Sequence, residues 1–277
     1  MLVELSLYAG LAFPAVRERC AGLENRLPFW LWASAIVPYG LYCLAGPFSW
    51  EALALLVLLA GVASWWFVLL PRNSFFDLAF LALMAGVTLA KLFGVVYPPP
   101  VEGLRVDILG QLMWIRLGVI TVLVLRKFDG IGFGFLPARR EWLIGLLHFA
   151  LFMPIGIALM YGLGFARFVP AAGWWWKWPG TFIGILWVVA LSEEFFFRGI
   201  LQQYLMRWLG AAAGLALTAL LFGAVHLGYR EFPNWSFAAM AAVAGWFYGR
   251  AYIKGEGIRA AMVAHALTVA TWRTFFR

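Results

Sequence analysis

The segment WEALALLVLLAGVASWWFVLL, residues 50–70, decides the fold class of this chain. It contains a single charged residue, Glu51, in 21 positions. An α-helix needs about 20 apolar residues to cross the hydrocarbon core of a bilayer, whereas a transmembrane β-strand needs only about 9–11. The length of the run therefore predicts a membrane-spanning helix, because a helix satisfies all of its backbone hydrogen bonds internally.

Similar apolar segments follow one another along the whole chain. Pro, Gly and charged residues separate them, as in the run Pro98-Pro99-Pro100. The predicted spans are 27–46, 50–70, 75–97, 106–125, 142–165, 181–208, 211–228, 235–253 and 257–275. This pattern predicts an all-α fold, a polytopic transmembrane helical bundle of about eight to nine spans.

The composition agrees with a membrane protein. Apolar residues make up 64% of the 277 residues and charged residues only 12%, whereas a soluble domain carries about 25% charged residues. A soluble enzyme and a disordered chain are thereby excluded. The net charge of +8 does not indicate a nucleic-acid partner, because Lys and Arg accumulate in the cytoplasmic loops of membrane proteins. Cys20 and Cys43 suggest neither a metal site nor a disulfide framework.

Lys and Arg are distributed unevenly between the two sides of the predicted bundle. The side that holds the N-terminus carries 12 of the 21, the other side carries six, and Lys91, Arg116 and Arg198 lie within spans. The positive-inside rule therefore predicts a cytoplasmic N-terminus. The apolar stretch Met1–Val16 lacks the basic start of a secretory signal, so we expect a short or interfacial helix there.

The densest group of charges within a predicted span is Leu191-Ser-Glu-Glu-Phe-Phe-Phe-Arg198. Each charge costs about 2.5–3.5 kcal/mol on membrane-insertion scales, so such groups indicate function. Glu194 and Arg198 are four residues apart and can pair on one helix face. Glu193 points about 100° away from Glu194 and is left without that cation, which suits a general base. The alternative is a structural role, in which Glu193 makes hydrogen bonds between helices.

All three histidines of the chain fall in apolar spans. A lone histidine on an apolar face is usually packed and hydrogen-bonded, and we expect this of His148. His226 and His265 are candidate functional groups, because imidazole can act as a base or as a hydrogen-bond donor near neutral pH and the intramembrane acids need partners. We expect Glu193, His226 and His265 to face one cavity, and His148 to lie elsewhere.

Three motifs occur in a fixed order: Glu193-Glu194-x-x-x-Arg198, then Phe222-x-x-x-His226, then His265 in the last span. This order resembles the CAAX-protease and bacteriocin-processing (CPBP or Abi) family of glutamic intramembrane endopeptidases. The resemblance covers about residues 180–272. It suggests a division into residues 1–180, an N-terminal transmembrane region of unclear function with about five spans, and residues 181–277, a catalytic transmembrane core.

The resemblance implies hydrolysis of a peptide bond by an activated water molecule, with no cofactor. Glu193, aided by His226, would take a proton from that water, and His265 would stabilise the developing oxyanion. Glu194 and Arg198 would form a supporting pair. The implied substrate is a membrane-associated protein or peptide, such as a C-terminal sorting tail or a bacteriocin-like precursor, and the implied location is a bacterial plasma membrane.

The chain departs from the family at the third motif. The family carries an asparagine four residues after the histidine, and this asparagine helps to hold the oxyanion. Here that position is Val269, while Thr268 and Thr271 lie nearby but out of register. Loss of one oxyanion donor costs about 10²–10³ in rate, so we expect slower chemistry.

Two other classes of function stay open at this point. Glu193 with His226 and His265 is a plausible zinc ligand set, although no His-Glu-x-x-His run is present and the ligands would come from three helices. The second class is a transporter, because intramembrane charges also build proton relays. Lys91 and Arg116 are candidates for such a path. A non-catalytic membrane scaffold or an immunity protein would use the same residues for structure alone.

Overall fold

The computed structural model describes residues 2–99, 101, 103–164 and 166–276, and over this part of the chain it consists of 12 helices. They are α1 (Leu2–Gly10), α2 (Pro14–Gly22), α3 (Leu27–Tyr42), α4 (Trp50–Leu69), α5 (Ser74–Leu89), α6 (Phe93–Val96), α7 (Asp107–Leu125), α8 (Arg139–Gly162), α9 (Trp174–Leu209), α10 (Ala211–Ala224), α11 (Trp235–Gly255) and α12 (Ile258–Phe275).

The predicted all-α, polytopic fold is confirmed. Each of the nine predicted spans contains a helix at the expected place. In the described part of the chain, four helices are long and apolar enough to cross a membrane: α4, α7, α8 and α9, with 20, 19, 24 and 36 residues. The helices α5 and α10 are apolar but shorter, and the count of eight to nine crossings stays a prediction.

The chain forms two compact units, Met1–Asp129 and Gly130–Arg277. The second unit begins well before the predicted boundary at residue 180, because α8 packs against α11 and α12. That boundary marks where the motif-bearing segment begins, and as a functional division it stays a prediction.

A buried ion pair lies inside the first unit. Arg116 from α7 binds Glu4 from α1 through two contacts of 2.8 and 3.1 Å, and it also donates to the Ser34 hydroxyl of α3 at 2.8 Å. Both charged side chains are almost fully buried. One of the charges that the sequence places within a span is therefore neutralised by a partner, which is how a buried arginine avoids an uncompensated desolvation penalty.

The central helix of the second unit is α12, which packs against α8, α9 and α11. Every residue from 260 to 268 of this helix is buried. Small residues such as Ala260 and Ala264 let the neighbouring backbones approach closely, as is typical of membrane helices. One such close approach is at Gly145 of α8, where a Cβ atom would lie 2.5 Å from Val263 Cβ and 2.7 Å from the Ala260 carbonyl oxygen.

The helix that carries the two adjacent acids is not uniformly α-helical. In α9, π-helical turns at Ile185–Ala190 and Phe197–Gln202 flank the α-helical turn Leu191–Phe196. A π-helical turn shifts the register of the side chains and is frequent at functional sites. The α-helical turn that carries Glu193 and Glu194 is thus separated from the rest of α9 by a π-helical turn on each side.

The contact at Gly145 generates a prediction about stability. Gly145→Ala forces a methyl group into α12, and overpacking of this kind costs about 1–3 kcal/mol, so we expect a lower melting temperature of the detergent-solubilised protein. Gly162→Ala in the same helix is the matched control, because nothing lies within 4 Å of that position. An equal melting temperature for both variants would contradict the close packing of α8 on α12.

Candidate active site

A cavity of about 160 Å³ lies within the second unit, and three of the predicted polar side chains line it. Glu193 comes from α9, His226 follows the end of α10, and His265 comes from α12. The remaining wall is mostly apolar and aromatic, with side chains such as Phe222, Phe237, Met240, Tyr248 and Trp272. The structure therefore brings together the acid and the two imidazoles that the sequence selected.

His148 is not among the residues that line this cavity. It is buried in α8, and its Nδ1 atom lies 2.8 Å from the Ile144 carbonyl oxygen one turn earlier. This placement agrees with the expectation of a packed, hydrogen-bonded histidine.

Glu194 and Arg198 form a fully buried ion pair behind the cavity. Arg198 Nη1 donates to Glu194 Oε1 at 3.1 Å, and both side chains are 0% exposed. Arg198 Nη2 donates to the Gly245 carbonyl oxygen of α11 at 2.9 Å. The guanidinium group also lies 4.4 Å from the ring centre of Phe222 and 5.5 Å from that of Tyr248, so cation–π contacts add to its stabilisation.

His265 is held by this pair. Its Nδ1 atom lies 2.8 Å from Glu194 Oε1, and the Tyr248 ring stacks on the imidazole with 4.7 Å between the ring centres. A carboxylate can only accept, so Nδ1 carries the proton of this hydrogen bond. The other ring nitrogen, Nε2, is directed towards Glu193 at 3.9 Å from Oε2. Glu194 thereby fixes both the orientation of the ring and the nitrogen that is available for chemistry.

Glu193 differs from its neighbour in having no cation of its own. Its side chain is 30% exposed, whereas that of Glu194 is fully buried. Its Oε2 atom is buried and accepts no hydrogen bond from the described residues, and 3.9 Å to His265 is too long for one. Glu194 Oε2 is likewise without a donor among the described residues, but only the Glu193 side chain lines the cavity, so Glu193 is the acid that a water molecule or a substrate can reach.

His226 presents a basic nitrogen to the same cavity. Its Nδ1 atom lies 2.7 Å from the Phe222 carbonyl oxygen, so in the neutral ring Nδ1 carries the proton and Nε2 is an acceptor. The Phe222 ring contacts both imidazoles, and the distance between ring centres is 4.8 Å to His226 and 5.8 Å to His265. The first residue of the Phe-x-x-x-His motif therefore positions both histidines.

Val269 lies in the cavity wall, one helical turn after His265. The departure from the family motif therefore falls at the site itself and provides no hydrogen-bond donor. The nearby hydroxyl groups do not replace it, because Thr268 donates to the Ala264 carbonyl oxygen at 2.8 Å. Thr271 accepts from Trp178 Nε1 at 3.2 Å and is not part of the cavity wall.

Most of the wall residues lie outside the three motifs, and Tyr248 and Arg273 are two of them that carry polar groups. The helical period places the residues three, four and seven positions after His265 on the same face of α12. Thr268, Val269 and Trp272 could therefore have been predicted from the sequence as wall residues. Arg273 lies one position beyond that face, and nothing in the sequence links Tyr248 of α11 to His265.

No group of three or more His, Cys, Asp or Glu side chains is arranged to hold a metal ion in the described part of the chain. One nitrogen of His265 already binds Glu194. The expectation that no cofactor is needed stays a prediction.

The buried pair generates a test of stability. Arg198→Met leaves Glu194 without its cation, and breaking a buried pair costs about 3–5 kcal/mol, so we expect a large drop in melting temperature in detergent. The double variant with Glu194→Gln should lose less than the sum of the two single changes. Arg140→Met is the control, because its pair with Glu256 is exposed and such pairs contribute about 0–1 kcal/mol. Equal losses for Arg198→Met and Arg140→Met would contradict a stabilising role of the buried pair.

Residues 174–271 match the family described as type II CAAX prenyl endopeptidase Rce1-like. Comparison with curated proteins and with solved structures returns no significant match. The matched segment contains all three motifs and the helices that carry them, so the resemblance seen in the sequence is confirmed there. The description supports a membrane protease, hence a hydrolase, with a membrane protein or peptide as its substrate. Residues 174–271 of this integral membrane protein are thus similar to the Rce1-like type II CAAX prenyl endopeptidases.

Proposed function

We propose that the second unit is an intramembrane endopeptidase that hydrolyses a peptide bond with a water molecule activated by Glu193 and His226. The observation that carries this proposal is the convergence of Glu193, His226 and His265 on one cavity in the segment that matches a peptidase family. No covalent intermediate is required, because the water oxygen is the nucleophile.

The roles follow from the atoms that each group presents. Glu193 Oε2, which accepts no hydrogen bond from the described residues, takes a proton from the water, and His226 Nε2 orients that water. The water oxygen attacks the carbonyl carbon, and the negative charge moves to the carbonyl oxygen. The carbon–nitrogen bond then breaks, and the leaving amine takes the proton from Glu193. A general base of this kind contributes about 10²–10⁴ in rate.

His265 is the group that stabilises the oxyanion. It donates from Nε2 while Nδ1 donates to Glu194 Oε1, so both ring nitrogens carry protons during the reaction. The negative charge of Glu194 offsets the positive charge of the ring, and Arg198 binds the same carboxylate. Donors that are fixed before the reaction and lie in a dry site stabilise a developing charge far more than water does.

The apolar lining of the cavity supports a proposal about the substrate class. A narrow cavity lined by aromatic and aliphatic side chains in a membrane domain accepts an extended apolar peptide rather than a soluble, folded protein. A C-terminal sorting tail or a bacteriocin-like precursor fits this description.

The orientation is proposed from the charges at the two ends of the second unit. One end carries Arg139, Arg140, Arg207, Arg250, Lys254 and Arg259, and the other carries Arg167, Lys177, Arg230 and Arg273. The positive-inside rule places the more basic end in the cytoplasm, which agrees with the predicted cytoplasmic N-terminus in a bacterial plasma membrane. Tyr229 and Arg273 lie in the cavity wall near the less basic end, so the substrate enters from the non-cytoplasmic side.

The catalytic proposal predicts loss of processing without loss of protein. Membranes that contain wild type, Glu193→Gln or His226→Ala are compared by mass spectrometry for cleaved membrane proteins. We expect products with wild type and none with Glu193→Gln or His226→Ala, because each of these two changes removes a group that acts on the water. His148→Ala is the control, since this histidine lies outside the cavity wall. Identical peptide profiles for all variants would remove the protease assignment and favour a scaffold or immunity protein.

The same experiment separates the zinc alternative. We expect unchanged processing after treatment with a membrane-permeant chelator, because in this mechanism a carboxylate and an imidazole activate the water. Loss of activity that zinc restores, together with bound zinc in the purified protein, would favour a metalloprotease.

Val269 gives a prediction of increased activity. Val269→Asn places an amide donor one turn after His265, and one such donor is worth about 10²–10³ in rate where it meets the oxyanion. We expect a higher kcat with little change in KM. Val189→Asn is the control, because Val189 lines the same cavity but not the third motif. An equal effect of the two variants would argue against an oxyanion site beside Val269.

The orientation is tested with a maleimide that does not cross membranes. In a variant that lacks Cys20 and Cys43, Arg230→Cys should be labelled in intact cells and Arg207→Cys only after permeabilisation. The reverse pattern would place the more basic end outside and overturn the proposed orientation.

A further inference from the structure

The cavity wall contains a buried tyrosine that the proposed reaction leaves unused. Tyr248 of α11 is only 2% exposed, and its side chain lines the cavity together with that of His265. The two rings are nearly parallel, with 10° between their planes and 4.7 Å between their centres. Stacking of this kind fixes the tyrosine relative to the imidazole that is proposed to bind the oxyanion.

The hydroxyl group of Tyr248 lies beside the helical turn that follows His265. Its hydrogen-bonding neighbour is the side chain of Thr268, which directly precedes Val269 in α12. The Thr268 hydroxyl donates its own proton to the Ala264 carbonyl oxygen at 2.8 Å, so towards Tyr248 it can only accept. The tyrosine hydroxyl is thus the donor of this pair, and it lies where the wall passes from His265 to Val269.

The other donors of the described wall have different neighbours. The second imidazole of the wall orients the water in the proposed reaction. Tyr229 stacks on Phe237, with 4.1 Å between the ring centres. Arg273 is exposed and follows His265 by eight residues, which is about 12 Å along the axis of α12. Tyr248 is therefore the remaining wall donor whose side chain contacts His265.

We propose that the Tyr248 hydroxyl is a second donor to the oxyanion, beside His265. The proposal rests on the proposed peptidase function. When the water oxygen bonds to the carbonyl carbon, the π electron pair moves to the carbonyl oxygen. That oxygen accepts one hydrogen bond from His265 Nε2 and one from Tyr248, and both protons stay on their donors. The carbon–oxygen double bond re-forms when the carbon–nitrogen bond breaks. Because the hydrogen bond from Tyr248 strengthens as the charge develops, it lowers the barrier rather than tightening the binding of substrate.

Tyr248→Phe tests this role, because it removes the hydroxyl and keeps the ring that stacks on His265. The measured quantity is the rate at which cleaved membrane proteins appear, followed by mass spectrometry. We expect this rate to fall about 10²–10³-fold, as for loss of one oxyanion donor. Tyr252→Phe is the matched control on the same helix, because the Tyr252 hydroxyl donates to the Gly130 carbonyl oxygen at 2.9 Å and lies outside the cavity wall. Processing by Tyr248→Phe at the wild-type rate would overturn the proposal.

Val269→Asn separates the loss of a donor from a loss of folding. It places an amide donor one turn after His265, and in Tyr248→Phe this donor takes the place of the missing hydroxyl. Two donors to one oxygen are coupled, so Val269→Asn should raise the rate more in the Tyr248→Phe background than in wild type. An equal or smaller gain in that background would contradict a shared acceptor and overturn the proposal.

A second measurement needs no turnover. The full chain in lipid nanodiscs is titrated with acetyl-Leu-Leu-Val-amide in which a phosphinate group, PO₂⁻–CH₂, replaces the peptide bond before valine. The phosphinate places negatively charged oxygens on a tetrahedral centre, as the oxyanion does. We expect Tyr248→Phe to weaken its binding about 10–100-fold, as for loss of one hydrogen bond to a charged group. The matched ketone, with CO–CH₂ in the same place, carries no charge and should bind wild type and Tyr248→Phe alike.

Equal weakening for the two probes would show that the tyrosine only packs against His265, and it would overturn the proposal. Absence of phosphinate binding to wild type would overturn it as well. Glu193→Gln should keep the effect of Tyr248→Phe on the phosphinate, because binding of this probe needs no proton transfer. Unchanged membrane peptide profiles for Glu193→Gln would remove the peptidase function, whereas unchanged phosphinate affinity of Tyr248→Phe would remove the donor. The two failures are therefore separate results.

Discussion

The buried pair of Glu194 and Arg198 is the interaction on which the rest of the site depends. Removing two charges from water costs several kcal/mol per ion, and their mutual attraction together with further hydrogen bonds offsets this cost. Arg198 reaches the Gly245 carbonyl oxygen as well as Glu194, and Glu194 also binds His265. Three helices, α9, α11 and α12, are thereby tied together at one point.

Because Arg198 pairs with Glu194 and not with Glu193, the two adjacent acids lie in different environments. Glu194 has a structural role, because its Oε1 atom accepts hydrogen bonds from both Arg198 and His265. Glu193, about 100° around the helix, has no cation of its own, and its side chain is 30% exposed and lines the cavity. The same carboxyl group in two neighbouring environments thus supports two roles, one that orients an imidazole and one that is proposed to accept a proton.

The sequence predicted the helices well because membrane helices are specified locally. Apolar length and the breaks between runs located most spans to within a few residues. The exceptions are α9, which begins at Trp174 rather than near residue 181, and the predicted span 75–97, which is divided into α5 and α6. The pairing of Glu194 with Arg198 was also a local prediction, since four residues make one helical turn. The π-helical turns around Leu191–Phe196 were not predictable in this way, because the residues of Ile185–Ala190 and Phe197–Gln202 show no local pattern that distinguishes a π-helical turn from an α-helical one.

What the sequence determined by itself was therefore the set of helices, the motif family and the small group of polar residues able to do chemistry, since each follows from hydropathy, period or order along the chain. Tertiary structure alone decided which of these groups meet. Arg116 finds Glu4 at a distance of 112 residues along the chain, and Tyr248 and Arg273 join the cavity of His265 through the packing of α11 and α12. The physical reason is that such contacts depend on how side chains of different helices interlock, and no local pattern encodes that fit.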